Sequence, residues 1–334
     1  MVAGMTANPS TLLLSRGDVA ALLDIRSCIA AVEDGFRAHA EGRALGPASL
    51  GVLTEGGGYH VKAAGIRGSF FAAKTNANFP ANPTRHGLPT IQGVIVLCDG
   101  GNGRLLAVMD SVEITIQRTA AASAVAARHL ARPDSRVAAL IGCGAQAVAQ
   151  LRALATVLPL ERVFAHDLDP QRIAAVTDEL ARDPGIAVVP AAGLSETLGE
   201  SDVIVTCTTA KLPFLSRSLI RKGSFIAAVG ADSPLKSEIE PELMAASRVV
   251  VDSLTQCADY GDLHHAIEAC TMTTADVHAE LAEVVSGRKP GRRSAGEITL
   301  FDSTGTALQD VAAATLVYER ALAAGRGTPM RFSG

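Results

Sequence analysis

Several residues in this chain have types and spacings suited to chemistry. Arg136 to Ala147 reads RVAALIGCGAQA. An apolar run, Val137 to Ile141, meets Gly142-Cys143-Gly144-Ala145-Gln146-Ala147, and a helical pattern follows. This is G-x-G-x-x-A between a strand and a helix. Gly142 lets the chain turn off the strand end, Gly144 lets a pyrophosphate approach the backbone, and Ala147 lets the helix pack on the sheet. The helix start then offers free N–H groups and partial positive charge to the phosphates. Alone, the motif is also an ordinary glycine turn. The next apolar run, from Arg162, ends at His166-Asp167, which puts Asp167 where a ribose-binding carboxylate belongs, about 20 residues on. A bound dinucleotide is therefore expected, and NAD rather than NADP, because Asp167 would repel a 2′-phosphate. The neighbouring Asp169-Pro170 is a helix N-cap with proline at the first helical position.

Other candidates lie elsewhere. Lys74 ends the apolar strand Phe70-Phe71-Ala72-Ala73 and enters a polar loop. Arg118 sits in a helix of small residues, just before Thr119. Asp232 follows Ala228-Val229-Gly230-Ala231, at the C-terminal tip of a strand, where ligands of such sheets bind. Each also has an ordinary reading: a solvated lysine, a surface or capping arginine, and a loop cap before Ser233-Pro234.

The elements that must position these groups follow from the apolar pattern. Asp18 to Leu23 and Ile25 to Ala40 have helical spacing, and Gly42 and Gly46-Pro47 end that region. Strand-like runs follow at 49–53, 59–64, 69–75, 93–98 and 105–109, with an irregular polar loop at 76–90. Asp110-Ser111 opens a long helix to about Ala131. From Arg136 strands are expected at 137–141, 162–166, 186–190, 202–207, 224–229 and 248–252. Helices are expected at 145–157, 170–182 and 254–269, with Pro184-Gly185 as punctuation. Ile298 to Phe301 is a further strand, and Thr306 to Ala324 an amphipathic helix. The fold class is α/β: a Rossmann-type doubly wound parallel sheet plus a smaller α+β domain.

Composition bounds the rest. In 334 residues, 48% hydrophobic and 19% charged, there is enough apolar mass for a large core without disulfides or metals. A net charge of −4 with no basic stripe speaks against nucleic acid. The first residues, MVAGMTANPSTLLLSRGD, lack a basic n-region, so no signal peptide is expected, and no stretch approaches a membrane span. The six cysteines form no C-x-x-C pair and read as buried thiols of a reducing cytoplasm. The eight histidines show no H-x-x-x-H, so no metal is expected.

The stretches FAAKTNANFPANP, GLPTIQGVIVL, GRLLAVMDSVEITIQRTAA, ARHLARPDSRVAALIGCGAQA, IAAVGADSP and ITLFDSTGTALQDVA resemble the ornithine cyclodeaminase/mu-crystallin family over nearly the whole chain. The resemblance implies a homodimer. It implies a substrate-binding and dimerisation domain at 1–118, completed by the C-terminal helix 306–334, and an NAD-binding domain at 119–305. It implies that Lys74 and Arg118 hold a substrate carboxylate, as suits two cations in a cleft. Asp232 would be the general acid/base, and Thr90 a substrate- or cofactor-side group. Thr119 would lie near the cofactor phosphates, with Gly142, Gly144, Ala145, Gln146 and Asp167 in the dinucleotide fingerprint. Thr208 and Val229 would pass near the adenosine and nicotinamide, and Ser303 and Gly305 on the nicotinamide side.

One departure stands out. Family members commonly carry another arginine in the first sheet, and here that region reads GPASLGVL. Lys62, in YHVKAAG, is either its replacement or a lysine facing solvent. The departure puts ornithine itself in doubt as substrate. The implied activity is either cyclodeamination of an ornithine-like amino acid or reduction of a cyclic imino acid such as Δ1-pyrroline- or Δ1-piperideine-2-carboxylate. Alternatives are an alanine- or opine-type dehydrogenase of the same family, or a non-enzymatic binder of NAD(P)H and small ligands. A hydroxy-acid dehydrogenase would need a histidine acid/base, for which His264 and His265 are the candidates.

Overall fold

The computed structural model describes residues 10–183, 185–191 and 193–332. The first nine residues, on which the leader expectation partly rests, and Pro184 lie outside the described residues. The chain divides into two compact units: one runs up to Arg118 and resumes at Ala307, the other is Thr119–Thr306.

In the first unit, β1 (Thr11–Leu14), β2 (Ala44–Thr54), β3 (Gly57–Ile66), β4 (Phe70–Asn78), β5 (Ile91–Asp99) and β6 (Leu105–Asp110) join a terminal strand, Thr328–Met330, in one sheet. Its order is terminal strand, β1, β6, β5, β4, β3, β2, and only the β1–β6 pair is parallel. Antiparallel register decides which side chains share a face. Lys62 lies directly opposite Lys74, which lies opposite Ile95. Residues opposite one another point the same way. This face, with Ala64, Ala72 and Leu97 also buried on it, packs against helix Ala307–Ala324, which in turn packs on helix Ile25–Ala40. The other face carries the rows Leu50, Val61, Thr75, Val94 and Val52, Tyr59, Ala77. Leu50 is 60% and Val52 46% exposed there.

Three sequence expectations need correction in this unit. Gly46-Pro47 does not end a region but lies inside β2, at a register shift between Leu45 and Ala48. β2 is the sheet's edge strand, where a missing N–H breaks no ladder. The stretch 76–90 is not wholly irregular: β4 continues to Asn78 and a one-turn helix, Asn82–Arg85, starts with proline in its first turn. The terminal strand was not foreseen, because Thr-Pro-Met has no alternation to read and is held by pairing with β1.

The second unit starts within helix Val112–Leu130, where Ala120 to Ala122 and Ala124 to Ala126 are fully buried. Side chains this small let neighbouring backbones pack closely against the helix. Then come β7 (Val137–Ile141), β8 (Arg162–His166), β9 (Ala187–Pro190), β10 (Val203–Thr206), β11 (Phe225–Ala228), β12 (Arg248–Val251), β13 (Ala279–Glu280) and β14 (Thr299–Asp302). They form a wholly parallel sheet in the order β13, β12, β14, β11, β10, β7, β8, β9. The chain leaves β7 toward β8 and later returns to its other side as β10. That reversal of order opens a crevice at the strand tips. Central strands β10 and β11 are buried along their whole length, as a parallel sheet covered on both faces requires. The helix expected at 254–269 is two helices, Leu254–Tyr260 and Asp262–Glu268, broken at Gly261. A Cβ at Gly261 would lie 2.7 Å from Asp302 Oδ2, so the break lets a buried carboxylate reach the second helix's first N–H groups.

Candidate functional site

Each unit holds its own constellation. In the first, Lys74 projects from β4 and Arg118 from the second turn of helix Val112–Leu130; they are 3% and 5% exposed. Both meet Asp310 in the first turn of helix Ala307–Ala324. Lys74 Nζ is 2.8 Å and Arg118 Nε 3.0 Å from Asp310 Oδ1. Arg118 also donates to Gln309 Oε1 at 2.9 Å, and Lys74 to Thr115 Oγ1 at 3.4 Å. Asp310 is well placed, since a helix N-terminus favours a negative charge. Burial would raise its carboxyl, but Lys74 and Arg118 outweigh that and hold it below the usual 3.8. Burial, then the Arg118 charge, push Lys74 from 10.5 down to about 7, with Lys62 adding to the effect and Asp310 opposing it. Lys62 thus stands beside Lys74 on the inner face rather than facing only solvent. Lys74 and Arg118 share the carboxylate of Asp310.

Thr90 lies just ahead of β5, where its carbonyl accepts the Phe79 N–H. The threonine in contact with Lys74 is Thr115, which the sequence reading passed over. Asp310 and Gln309 were also missed. Their signal was present in TALQD: an acid in the first turn of a helix whose other inward positions are apolar.

In the second unit the fingerprint turn has the expected geometry. Gly142 has φ +98°, and a Cβ there would lie 2.9 Å from Cys207 O. A Cβ at Gly144 would meet nothing within 4 Å, so the backbone there is open to an approaching group. Helix Ala147–Ala155 has no side-chain cap, and Gln146 Oε1 is buried with no hydrogen-bond partner among the described residues. A cleft of about 730 Å³ runs along the tips of β7, β8 and β10, lined by Gly142, Gly144, Asp167, Leu168, Arg172 and Thr208 among others. Asp167 accepts the Cys143 N–H at 2.7 Å and the Asp169 N–H at 2.9 Å. It therefore braces the turn as well as facing the cleft. Open glycine backbone, an uncapped helix start and a carboxylate on the cleft wall together fit a dinucleotide.

Thr119 is buried near the start of this unit, its carbonyl accepting the Ser123 hydroxyl. Ala145 is exposed at the cleft-side turn. Val229 follows β11, its N–H donated to Thr206 O. Asp232 lies in the same loop, half exposed, with Oδ1 2.5 Å from Lys236 Nζ. Ser303 Oγ and Gly305 N–H both donate to the buried Asp252, so Ser303 offers its hydroxyl inward. Thr208 gives both its N–H and its hydroxyl to Glu238. His264 and His265 bond the Ala258 and Lys236 carbonyls and lie near Glu268. A second hollow, about 720 Å³, lies at the N-terminal ends of β12 and β14. Its Arg248 is paired with Glu297 and its Lys289 with Glu283, and no fingerprint residue lines it.

A family model, ornithine cyclodeaminase/mu-crystallin, matches residues 10–325. The chain belongs to the ornithine cyclodeaminase/mu-crystallin family. Alanine dehydrogenase of Archaeoglobus fulgidus is 38% identical over 324 residues, covering 96% of this chain and 98% of that one. A solved archaeal alanine dehydrogenase dimer with bound NAD superposes with a TM-score of 0.92 at 36% identity, over 97% of this chain and 99% of that one. Δ1-Pyrroline-2-carboxylate reductase of Thermococcus litoralis, solved with NADH and L-proline, gives 0.90 at 35% identity, over 95% and 99%. The family match thus spans both constellations.

Proposed function

We propose that this protein is an NAD(H)-dependent enzyme acting on the Cα–N bond of an α-amino or α-imino acid. The observation that carries the reading is the buried pair of cations, Lys74 and Arg118, that share the single carboxylate of Asp310. A substrate carboxylate supplies the missing charge. Arg118 already spends Nε on Asp310 and one terminal nitrogen on Gln309, so the substrate meets its other terminal nitrogen together with Lys74. Asp310 and Gln309 hold both cations in place, so little reorganisation is needed on binding. Gly142, Gly144, the start of helix Ala147–Ala155 and Asp167 would hold the cofactor, and a carboxylate at Asp167 would favour NAD over NADP. Bound NAD(H) supplies or accepts the hydride at Cα. Asp232, 2.5 Å from Lys236 Nζ, moves the proton at the substrate nitrogen.

The two solved relatives named above carry names of amino- or imino-acid redox chemistry, which supports reduction of an imino acid or its reverse, while a solved lysine cyclodeaminase at 33% identity and a TM-score of 0.84 supports cyclodeamination as the second reading. The exposed apolar rows on the outer face of the first unit's sheet, and the dimer named for the archaeal relative, support a homodimer. Among the described residues no helix is long and apolar enough to cross a membrane. Six unbridged cysteines support a reducing, cytoplasmic setting.

The test is NADH oxidation with pyruvate plus ammonia, Δ1-pyrroline-2-carboxylate and Δ1-piperideine-2-carboxylate, with NADPH alongside. Turnover with at least one is expected, and Asp232→Asn should bind NADH normally while losing that turnover. Ammonia release from ornithine or lysine with catalytic NAD⁺, and no NADH oxidation, would replace reductase with cyclodeaminase. Neither activity, with NADH bound, would make the protein a binder.

A further inference from the structure

Glu238 takes no part in the chemistry above, yet it is fully buried and binds more backbone and hydroxyl groups than any carboxylate the reaction uses. Its Oε1 accepts the Thr208 N–H and the Thr208 hydroxyl, both at 2.7 Å. Its Oε2 accepts the Thr206 hydroxyl at 2.7 Å and the Gly230 N–H at 3.0 Å. Thr206 ends β10, Thr208 lines the dinucleotide cleft, and Gly230 opens the loop that carries Asp232. One side chain therefore ties two strand-tip loops together. The fit depends on glycine: a Cβ at Gly230 would lie 2.4 Å from Glu238 Oε1.

Glu238 is itself held. Its own N–H and that of Ile239 donate to Asp262 Oδ1 at 2.7 and 3.0 Å. Asp262 opens helix Asp262–Glu268, where Asp302, at the tip of β14, accepts the Leu263 N–H at 2.9 Å. Packed side chains of a purely apolar kind could support the loops, but they could not pair the backbone N–H groups of Thr208 and Gly230. Such groups, left unpaired in a dry interior, turn elsewhere and take their loops with them.

We propose that Glu238 is a positioning residue for the nicotinamide cofactor: it fixes the loops after β10 and β11 in the shape that receives the dinucleotide and aims Asp232. This rests on the cofactor reading given above. A merely structural Glu238 would alter unfolding temperature alone. A positioning Glu238 must also alter cofactor affinity and turnover in protein that remains folded.

The experiment compares wild type with Glu238→Gln, in which the amide NH2 faces the Gly230 N–H and cannot accept it. NADH affinity is read from nicotinamide fluorescence, folding from thermal unfolding, and kcat and KM from Δ1-pyrroline-2-carboxylate reduction. The expected result is a folded variant whose NADH Kd rises about tenfold or more. Its kcat should fall, while KM for the imino acid stays near wild type, because the carboxylate clamp belongs to the other unit. A folded variant with unchanged NADH affinity and kcat overturns the proposal. Should Glu238→Gln fail to fold, Thr206→Val decides: it removes one hydroxyl from the same carboxylate at constant volume, and severalfold weaker NADH binding is expected. Unchanged binding there overturns the proposal equally. Wild-type protein that binds no NADH at all would sink the cofactor reading itself, a result separable from either variant's.

Discussion

Replacing Asp310 with asparagine preserves the side chain's shape and removes its charge. In the native structure that charge sits 2.8 Å from Lys74 Nζ and 3.0 Å from Arg118 Nε, with all three groups buried. At an effective dielectric of about 20, each such attraction is worth about 5–6 kcal/mol before desolvation is subtracted. Desolvation offsets much of that, but the asymmetry matters more. Removing one partner leaves two buried cations facing each other, which costs about 3–5 kcal/mol. Against a total stability of about 5–15 kcal/mol, this is a severe loss. For a chain of this size it corresponds to a fall of roughly 4–7 °C in melting temperature.

The pH dependence adds a sign. Asp310 is held below 3.8, so its contribution is complete above that value and is lost as pH falls further. The gap between wild type and variant should therefore be widest at neutral pH and close in acid. Lys74 loses the one group that supports its charge, so its ammonium should titrate below about 7. Substrate affinity at neutral pH should then drop with stability. The assay is thermal unfolding from pH 3 to 9, paired with kcat/KM against pH. A melting temperature within about 2 °C of wild type at pH 7, with an unmoved alkaline limb, would refute the account of this cluster.

Three further outcomes are expected. In the wild type, kcat/KM for a carboxylate substrate should fall as pH rises through about 7, where Lys74 loses its proton; Lys74→Arg, charged throughout, should lack that limb in whatever activity it keeps. Linkage gives the same group an opposite effect on stability. Between about 7 and 10.5 the unfolded chain binds the extra proton, so stability should rise with pH across that window in wild type and not in Lys74→Met. Asp167→Ser should shift cofactor preference toward NADPH by about tenfold or more, because it removes a carboxylate from a cleft wall that also carries Arg172. NADPH discrimination equal to wild type would show that Asp167 serves only to brace the Cys143 turn.

Much of this was readable in advance because it is local. Gly142 and Gly144 are needed where a strand turns into a helix, and the turn's geometry follows from the absence of a Cβ. Strand and helix positions in the second unit followed from buried apolar runs and the acids and prolines between them. The break at Gly261 was not readable, since its cause, Asp302, is some forty residues away in the chain. The same holds for Gly46-Pro47: a proline that looked like a terminator is tolerated because β2 has a free edge, and edges exist only once a sheet is assembled.

The two constellations divide on the same line. The spacing of the fingerprint and Asp167 along the chain is enough to announce a parallel α/β sheet with a nucleotide crevice, because consecutive strands of such a sheet present their tips side by side. That Lys62 and Lys74 share one face of the sheet, with Asp310 between Lys74 and Arg118, depends on the register of β3 against β4 and on a helix returning from residue 307. A shift of one residue in that register would put the two lysines on opposite faces. Glu238 is the extreme case: its importance comes from four bonds to residues brought to it by two separate segments, neither of which its own neighbours in sequence foretell. Sequence alone determined which residue types were available and the local turns that present them. Long-range pairing and burial decided which charges meet and what each one does to the others.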